Sequence, residues 1–307
     1  MARTRRGLTA AAGALALAAL VLTGCSNGNP LADDTASKKA SSGSITIGSA
    51  NFPESEILAY IYSDALSDAG VKTDVKANIG ARDRYIAALK GGEIQLVPEY
   101  TGNLLQFFDP KATATSSDDV YAALHGAVPK GFEVLDQAPG QDADSYNVTK
   151  EFSQKYNVTS LADLKNVSVP LKVAANPEFA TRPYGIPGLK SFYGVTATLQ
   201  PINDGGGPNT LKALLGGDVQ VADIYSTDPS IAKNHLVTLA DPKNMIAAQN
   251  IVPLIASDAA STKVKATLNK VSAKLTTDEL SGLLTKSYDD KQSADAIAKD
   301  WVSTNGF

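Results

Sequence analysis

The chain of 307 residues has one cysteine, Cys25, which excludes an internal disulfide and a cysteine-based zinc site. Its two histidines, His125 and His235, are too few for a typical transition-metal cluster and read as loop or surface residues. No metal and no cofactor is expected. Basic residues are not in excess, with 28 Lys and Arg against 32 Asp and Glu, and they cluster only in the first six positions. Nucleic acid is therefore not an expected partner. Also missing are a Gly-x-Ser-x-Gly elbow, a phosphate-binding Gly-x-x-x-x-Gly-Lys loop and a His-Glu-x-x-His pair. The run Gly205-Gly206-Gly207-Pro208 lacks dinucleotide-binding spacing and reads as a loop. No pair of carboxylates stands out for acid–base chemistry. These absences weigh against an enzyme.

What is present begins with an address. Arg3, Arg5 and Arg6 precede an uncharged run from Gly7 to Leu22. A helix of that length reaches roughly 24 Å, short of a hydrocarbon core of about 30 Å, so a signal peptide over residues 1–24 fits better than a span. Arg5-Arg6 hints at twin-arginine export, but the flanking residues match it poorly. Leu22-Thr23-Gly24-Cys25 resembles the bacterial lipobox, which makes Cys25 the expected lipidation site and the membrane contact. Two acyl chains suffice for stable anchoring where one is marginal. Cleavage removes three Arg and no acid, leaving 25 basic against 32 acidic residues. Residues 25–44, rich in Ser, Ala, Asn, Asp and Gly, read as a flexible tether.

From Ile45 the pattern becomes strand, turn, helix. Ile45-Thr46-Ile47 alternates as a strand, Asn51-Phe52-Pro53 turns the chain, and Ile57, Leu58, Ile61, Ala65 and Leu66 share a helical face that Gly70 ends. A second helix ends at Gly91-Gly92, and a strand is expected over Glu93–Val97. Residues 88–101 and 213–226 then match without a gap, with six of fourteen positions identical. At the same offset Ala50-Asn51 matches Ala175-Asn176. A period of domain size means two lobes of similar construction rather than a solenoid. Each copy ends in a Tyr just past a strand, Tyr100 and Tyr225, where open α/β sheets bind ligands. Taken singly each Tyr reads equally well as core; their matched placement points to a shared cleft. Crossings between lobes are expected within Ala138–Thr149 and near Gln249–Pro253, with later helices over Ala260–Leu275 and Thr277–Lys286 returning to the first lobe. The expected lobes are 45–146 with 250–307, and 147–249.

Four segments carry a family resemblance. Ile-Gly-Ser-Ala-Asn-Phe-Pro-Glu-Ser-Glu-Ile-Leu (47–58), Gly-Glu-Ile-Gln-Leu-Val-Pro-Glu-Tyr-Thr-Gly (92–102), Arg-Pro-Tyr-Gly-Ile-Pro-Gly-Leu (182–189) and Val-Ala-Asp-Ile-Tyr-Ser-Thr-Asp (221–228) resemble glycine betaine/choline-type substrate-binding proteins of ABC importers. The resemblance implies a periplasmic-binding-protein-like α/β fold, two lobes on a two-segment hinge. It implies a ligand with a quaternary ammonium held by tyrosines, matched here by Tyr100, Tyr146 and Tyr225. Asp144 matches the position facing the cation and Arg182 the one pairing a ligand carboxylate, with Asn51 and Asn103 as further contacts. Where the family often has a fourth Tyr, this chain offers Gln249, and Ala50 stands where many members have Lys. A Gln in the wall admits a hydrogen-bonding ligand. The permease and ATPase are expected on separate chains, and the binding protein is expected to be a monomer on the outer face of the cytoplasmic membrane. Two other readings stay open at this point: a receptor for an amino acid or an ergothioneine-like betaine, and a lipoprotein with no role in transport.

Overall fold

The computed structural model describes residues 43–307, so the expected leader, Cys25 and nearly all of the expected tether lie outside it. Among the described residues no helix is long and apolar enough to cross a membrane. The first lobe opens with β1 (Ser44–Ala50), α1 (Pro53–Asp68), β2 (Lys72–Gly80), α2 (Arg82–Lys90), β3 (Leu96–Tyr100), α3 (Thr101–Phe108), α4 (Ser117–Ala127) and β4 (Phe132–Val134). Helix α1 starts with Pro53 at its first position, where the missing N–H costs nothing, and ends at Gly70, whose φ of 76° suits glycine. Its apolar face of Ile57, Leu58, Ile61, Ala65 and Leu66 is buried, as its spacing predicts.

The second lobe comprises β5 (Tyr146–Val148), α5 (Lys150–Tyr156), β6 (Leu171–Ala175), α6 (Ile186–Tyr193), β7 (Ala197–Pro201), α7 (Pro208–Leu215), β8 (Val221–Asp223), α8 (Ser230–Lys233) and β9 (Val237–Thr238). The chain then returns through β10 (Ile251–Ala256), α9 (Thr262–Ser272), α10 (Thr277–Tyr288) and α11 (Ala294–Asn305). Residues Val264, Leu268, Leu283 and Trp301 of the three returning helices share one core with α1.

The sheets run β2-β1-β3-β10-β4 and β7-β6-β8-β5-β9. In each, three parallel strands are followed by an antiparallel one contributed by the chain on its way between lobes. The 125-residue repeat is thus a repeat of topology: β3 and β8 occupy equivalent places. Strand β3 begins at Leu96 and runs on to Tyr100, past the expected Glu93–Val97, because Pro98 does not interrupt it. Pro98 lies directly opposite Pro253 of β10, so two residues without an N–H share one rung and the neighbouring rungs stay paired. Tyr146 opens β5 and pairs with Asp223, so the first crossing lies before it rather than after, and the residue belongs to the second sheet. The two crossings run side by side, joined by an antiparallel bridge between Gln141 and Asn250 and by a 3.0 Å bond from the Asp142 N–H to the Gln249 carbonyl. That is a two-segment hinge.

Candidate ligand-binding cleft

Parallel strands deliver their following loops to one edge of a sheet, and both lobes turn that edge toward each other. Asn51 and Phe52 follow β1, Arg82 opens α2 just past β2, and Tyr100 ends β3. The second lobe repeats the pattern: Asn176 follows β6, Asn203 lies two residues past β7, and Tyr225 two past β8. All of these line one chamber of about 50 Å³, together with Asn103, Glu178 and Arg182, and with Asp142 and Asp144 from the first crossing. A wider vestibule of about 370 Å³ adjoins it, sharing Arg82, Asn103, Glu178 and Arg182 and adding Phe107, Pro110, Pro183 and Tyr184.

One wall is aromatic. The Phe52 ring lies 5.5 Å from Tyr225, edge-on, and 6.0 Å from Tyr100. The loop after β7 closes on it: a Cβ on Gly205 would fall 2.8 Å from Phe52 Cβ, so only glycine lets the second lobe approach so closely. Both phenol groups are anchored. The Tyr100 hydroxyl donates to Glu54 Oε1 at 2.7 Å, and the Asn176 amide donates to the Tyr225 hydroxyl at 3.1 Å. Glu54 also accepts from the Thr227 hydroxyl of the second lobe at 3.0 Å, which ties the lobes together beneath the wall. Burial pushes Glu54 up to about 7, against the opposing effect of these hydrogen bonds. Asp142 is pushed well above the carboxylate range, by burial and then by Glu54 beside it.

The other wall is charged. Arg82 Nε and Nη2 donate to the two oxygens of the fully buried Glu99, at 2.9 and 3.0 Å. Arg182 Nη1 donates to the Tyr184 hydroxyl at 2.7 Å and stands 3.7 Å from Asp144 Oδ1. Asp144 Oδ2 accepts from the Asn103 amide at 3.1 Å.

Of the residues singled out in the sequence, the structure brings together Asn51, Tyr100, Asn103, Asp144, Arg182 and Tyr225. Two stand elsewhere. Tyr146 is fully buried in the core of the second lobe, packed on Phe179 with its hydroxyl donating to the Tyr184 carbonyl at 2.6 Å. It forms no part of the chamber wall, because β5 is an inner strand of its sheet. Gln249 is also buried, behind Asn103 rather than beside it in the wall. It accepts from the Asn103 N–H at 2.9 Å and donates to Asn103 Oδ1 at 3.0 Å, which fixes that amide's orientation. Gln249 therefore does not make the wall polar. Sequence reasoning missed Phe52, Arg82, Tyr85, Asn176, Glu178 and Asn203. Asn176 was within reach, since the repeat aligns it with Asn51.

A profile described as the substrate binding domain of ABC-type glycine betaine transport system matches residues 43–304. The chain belongs to this family. It is accordingly a substrate-binding protein of an ABC-type transport system, whose permease and ATPase subunits do the transport. Among similar proteins, the glycine betaine-binding protein YehZ of Escherichia coli (strain K12) is 28% identical over 222 residues, covering 66% of this chain and 70% of the relative. The carnitine transport binding protein OpuCC of Listeria monocytogenes is 24% identical over 282 residues, covering 87% of this chain and 89% of the relative. The crystal structure of a glycine betaine/carnitine/choline ABC transporter superposes with a TM-score of 0.68 at 22% identity, covering 85% of this chain and 98% of that one. This likeness establishes the two-lobed fold.

Proposed function

We propose that the protein is an extracytoplasmic lipoprotein, anchored through Cys25, that captures a quaternary-ammonium or zwitterionic solute between its lobes and presents it to the importer. The observation that carries the reading is a wall of three rings, Phe52 and Tyr100 from one lobe and Tyr225 from the other, in one chamber with the buried Asp144. A trimethylammonium group has no N–H and is held by ring faces instead, at roughly 0.5–2 kcal/mol each. Three rings then contribute about 2–6 kcal/mol, whereas micromolar binding requires about 8 kcal/mol. The charge of Asp144 supplies the remainder in a cleft that closure removes from water. Four asparagines, Asn51, Asn103, Asn176 and Asn203, favour a second reading, a smaller zwitterion such as an amino acid held by hydrogen bonds.

Calorimetric titration with choline, glycine betaine, carnitine, ergothioneine and amino acids separates the two. Tyr100→Leu and Tyr225→Leu keep apolar bulk and remove a ring face, and each should weaken binding of a quaternary ammonium at least tenfold. Wild-type affinity in both variants would remove the aromatic wall from the account. Fractionating cells that carry wild type or Cys25→Ser tests the anchor in the same preparation, with membrane association expected for the wild type alone.

A further inference from the structure

Behind the chamber wall lies an acid with no counterpart in the reading so far. Asp223 ends β8, is fully buried, and does not line the chamber. Its Oδ1 accepts the Ser145 N–H at 3.2 Å. Its Oδ2 has no donor among the described residues, and neither does Asp144 Oδ1. Asp223 is anchored on the N–H of Ser145, the residue next to Asp144, and the two acids act on each other directly, so the two orphaned oxygens belong to one carboxyl pair. Two carboxylates in such contact cannot both be ionised, and one proton between them satisfies both orphans.

The surroundings decide where that proton sits. Asp144 is approached by the Arg182 guanidinium and by the Asn103 amide, both donors. Asp223 meets no cation of its own; burial and then Asp144 push it well above the carboxylate range, with Arg182 opposing. The other ionisable groups around the pair are Asp142 and the phenols Tyr146, Tyr184 and Tyr225, whose burial disfavours their ionisation. Asp223 is therefore the member of the pair placed to donate a proton to Asp144.

The same accounting covers the cations. Arg82 is matched by Glu99 through both oxygens, and Arg182 faces Asp144. No uncommitted positive charge lines the chamber among the described residues, while Glu178 adds a carboxyl group to its lining. A ligand carboxylate meets no cation that is not already paired, whereas a ligand cation meets Asp144 across a guanidinium contact of 3.7 Å, too long for a hydrogen bond. Given a quaternary-ammonium site as proposed above, we infer that the chamber selects a net cation over a zwitterion, and that Asp223 is the positioning residue that holds Asp144 in place by donating one proton to it.

The test is calorimetric titration of choline and glycine betaine into wild type, Asp223→Asn, Asp223→Leu and Asp144→Asn. Wild type should bind choline at least tenfold more tightly than glycine betaine. Asp144→Asn should abolish that preference. Asp223→Asn replaces the acid by an amide that can donate to the same oxygen, and choline affinity should stay within about threefold. Asp223→Leu offers no donor and should lose about tenfold. Equal affinities in wild type, or an Asn variant as weak as the Leu variant, would overturn the inference. Should Asp223→Leu fail to fold, the Asn variant and the wild-type preference decide. Failure of wild type to bind either solute would instead overturn the quaternary-ammonium reading itself.

Discussion

Two arginines face the same chamber, and their ion pairs are built differently. Arg82 and Glu99 form a fork with contacts at 2.9 and 3.0 Å, and Glu99 also accepts from the Tyr85 hydroxyl at 2.9 Å and the Tyr100 N–H at 3.0 Å. Arg182 and Asp144 approach only to 3.7 Å, and Arg182 keeps 21% of its side chain exposed against 11% for Arg82. The first pair is closed by a two-bond fork within its own lobe, and both oxygens of its carboxylate are taken. The second is too long for a hydrogen bond, and its guanidinium is the more exposed of the two. A saturated pair holds architecture, and an unsaturated one is available to a solute. The sharpest way to break this contrast is Glu99→Gln, which leaves a buried guanidinium unpaired. Removing one partner of such a pair costs about 3–5 kcal/mol. The urea midpoint should fall accordingly with an unchanged slope, and a loss below about 1 kcal/mol would show that Arg82 finds water or another partner.

That difference between the arginines could not be read from the chain. Arg182 sits in a segment whose residues resemble a family motif, whereas Arg82 lies at the start of an ordinary helix and meets Glu99 only because β3 passes beside that helix. Tyr100, Asn51 and Tyr225 were legible because strand ends and a repeat place them, and position along a strand is a property of sequence. Tyr146 and Gln249 failed for the complementary reason. Both stand close in sequence to chamber residues, but which way a side chain points depends on what covers the strand or crossing segment. Phe52 lay within a turn quoted for its proline, and its ring found its role only when Gly205 of the other lobe closed on it. Asp223 carried a faint signal, an acid within the apolar strand Val221–Asp223, since such acids are seldom fully buried without a partner. The fold was more open to reading than the site, because alternation, glycine stops and the repeat act locally while the chamber is assembled from residues far apart.

A third carboxylate sharpens the comparison by having no arginine at all. Glu54 is held by two hydroxyls, one from each lobe, and burial pushes it up to about 7. In the unfolded chain the same group ionises near about 4.3. The folded protein thus binds the extra proton between those values, so stability from this group is full below about pH 4 and is lost as pH rises through about 7. The loss amounts to at most about 4 kcal/mol, and Asp142, also shifted upward, adds a slope of the same sign. Glu54→Gln keeps a side chain that can accept from one hydroxyl and donate to the other, and removes the titration. Its denaturation midpoint should vary less between pH 4.5 and 8 than that of wild type. Parallel profiles would place the proton elsewhere.

The smallest change in stability is expected at Arg182, and there the two pairs part most clearly. Arg182→Gln breaks one long ion pair at a partly solvated site, so stability should move by about 1 kcal/mol or less. Asp144 would then face the chamber with no cation beside it. Choline affinity should rise by up to about tenfold, because the ligand no longer competes with a guanidinium for the same charge. Glycine betaine affinity should fall by a similar factor, because its carboxylate loses the one cation loosely enough held to turn toward it. Opposite shifts for two solutes, measured by calorimetry on one variant, cannot come from general loosening of the fold. Loss of both affinities together with several kcal/mol of stability would instead make Arg182–Asp144 an architectural pair like Arg82–Glu99.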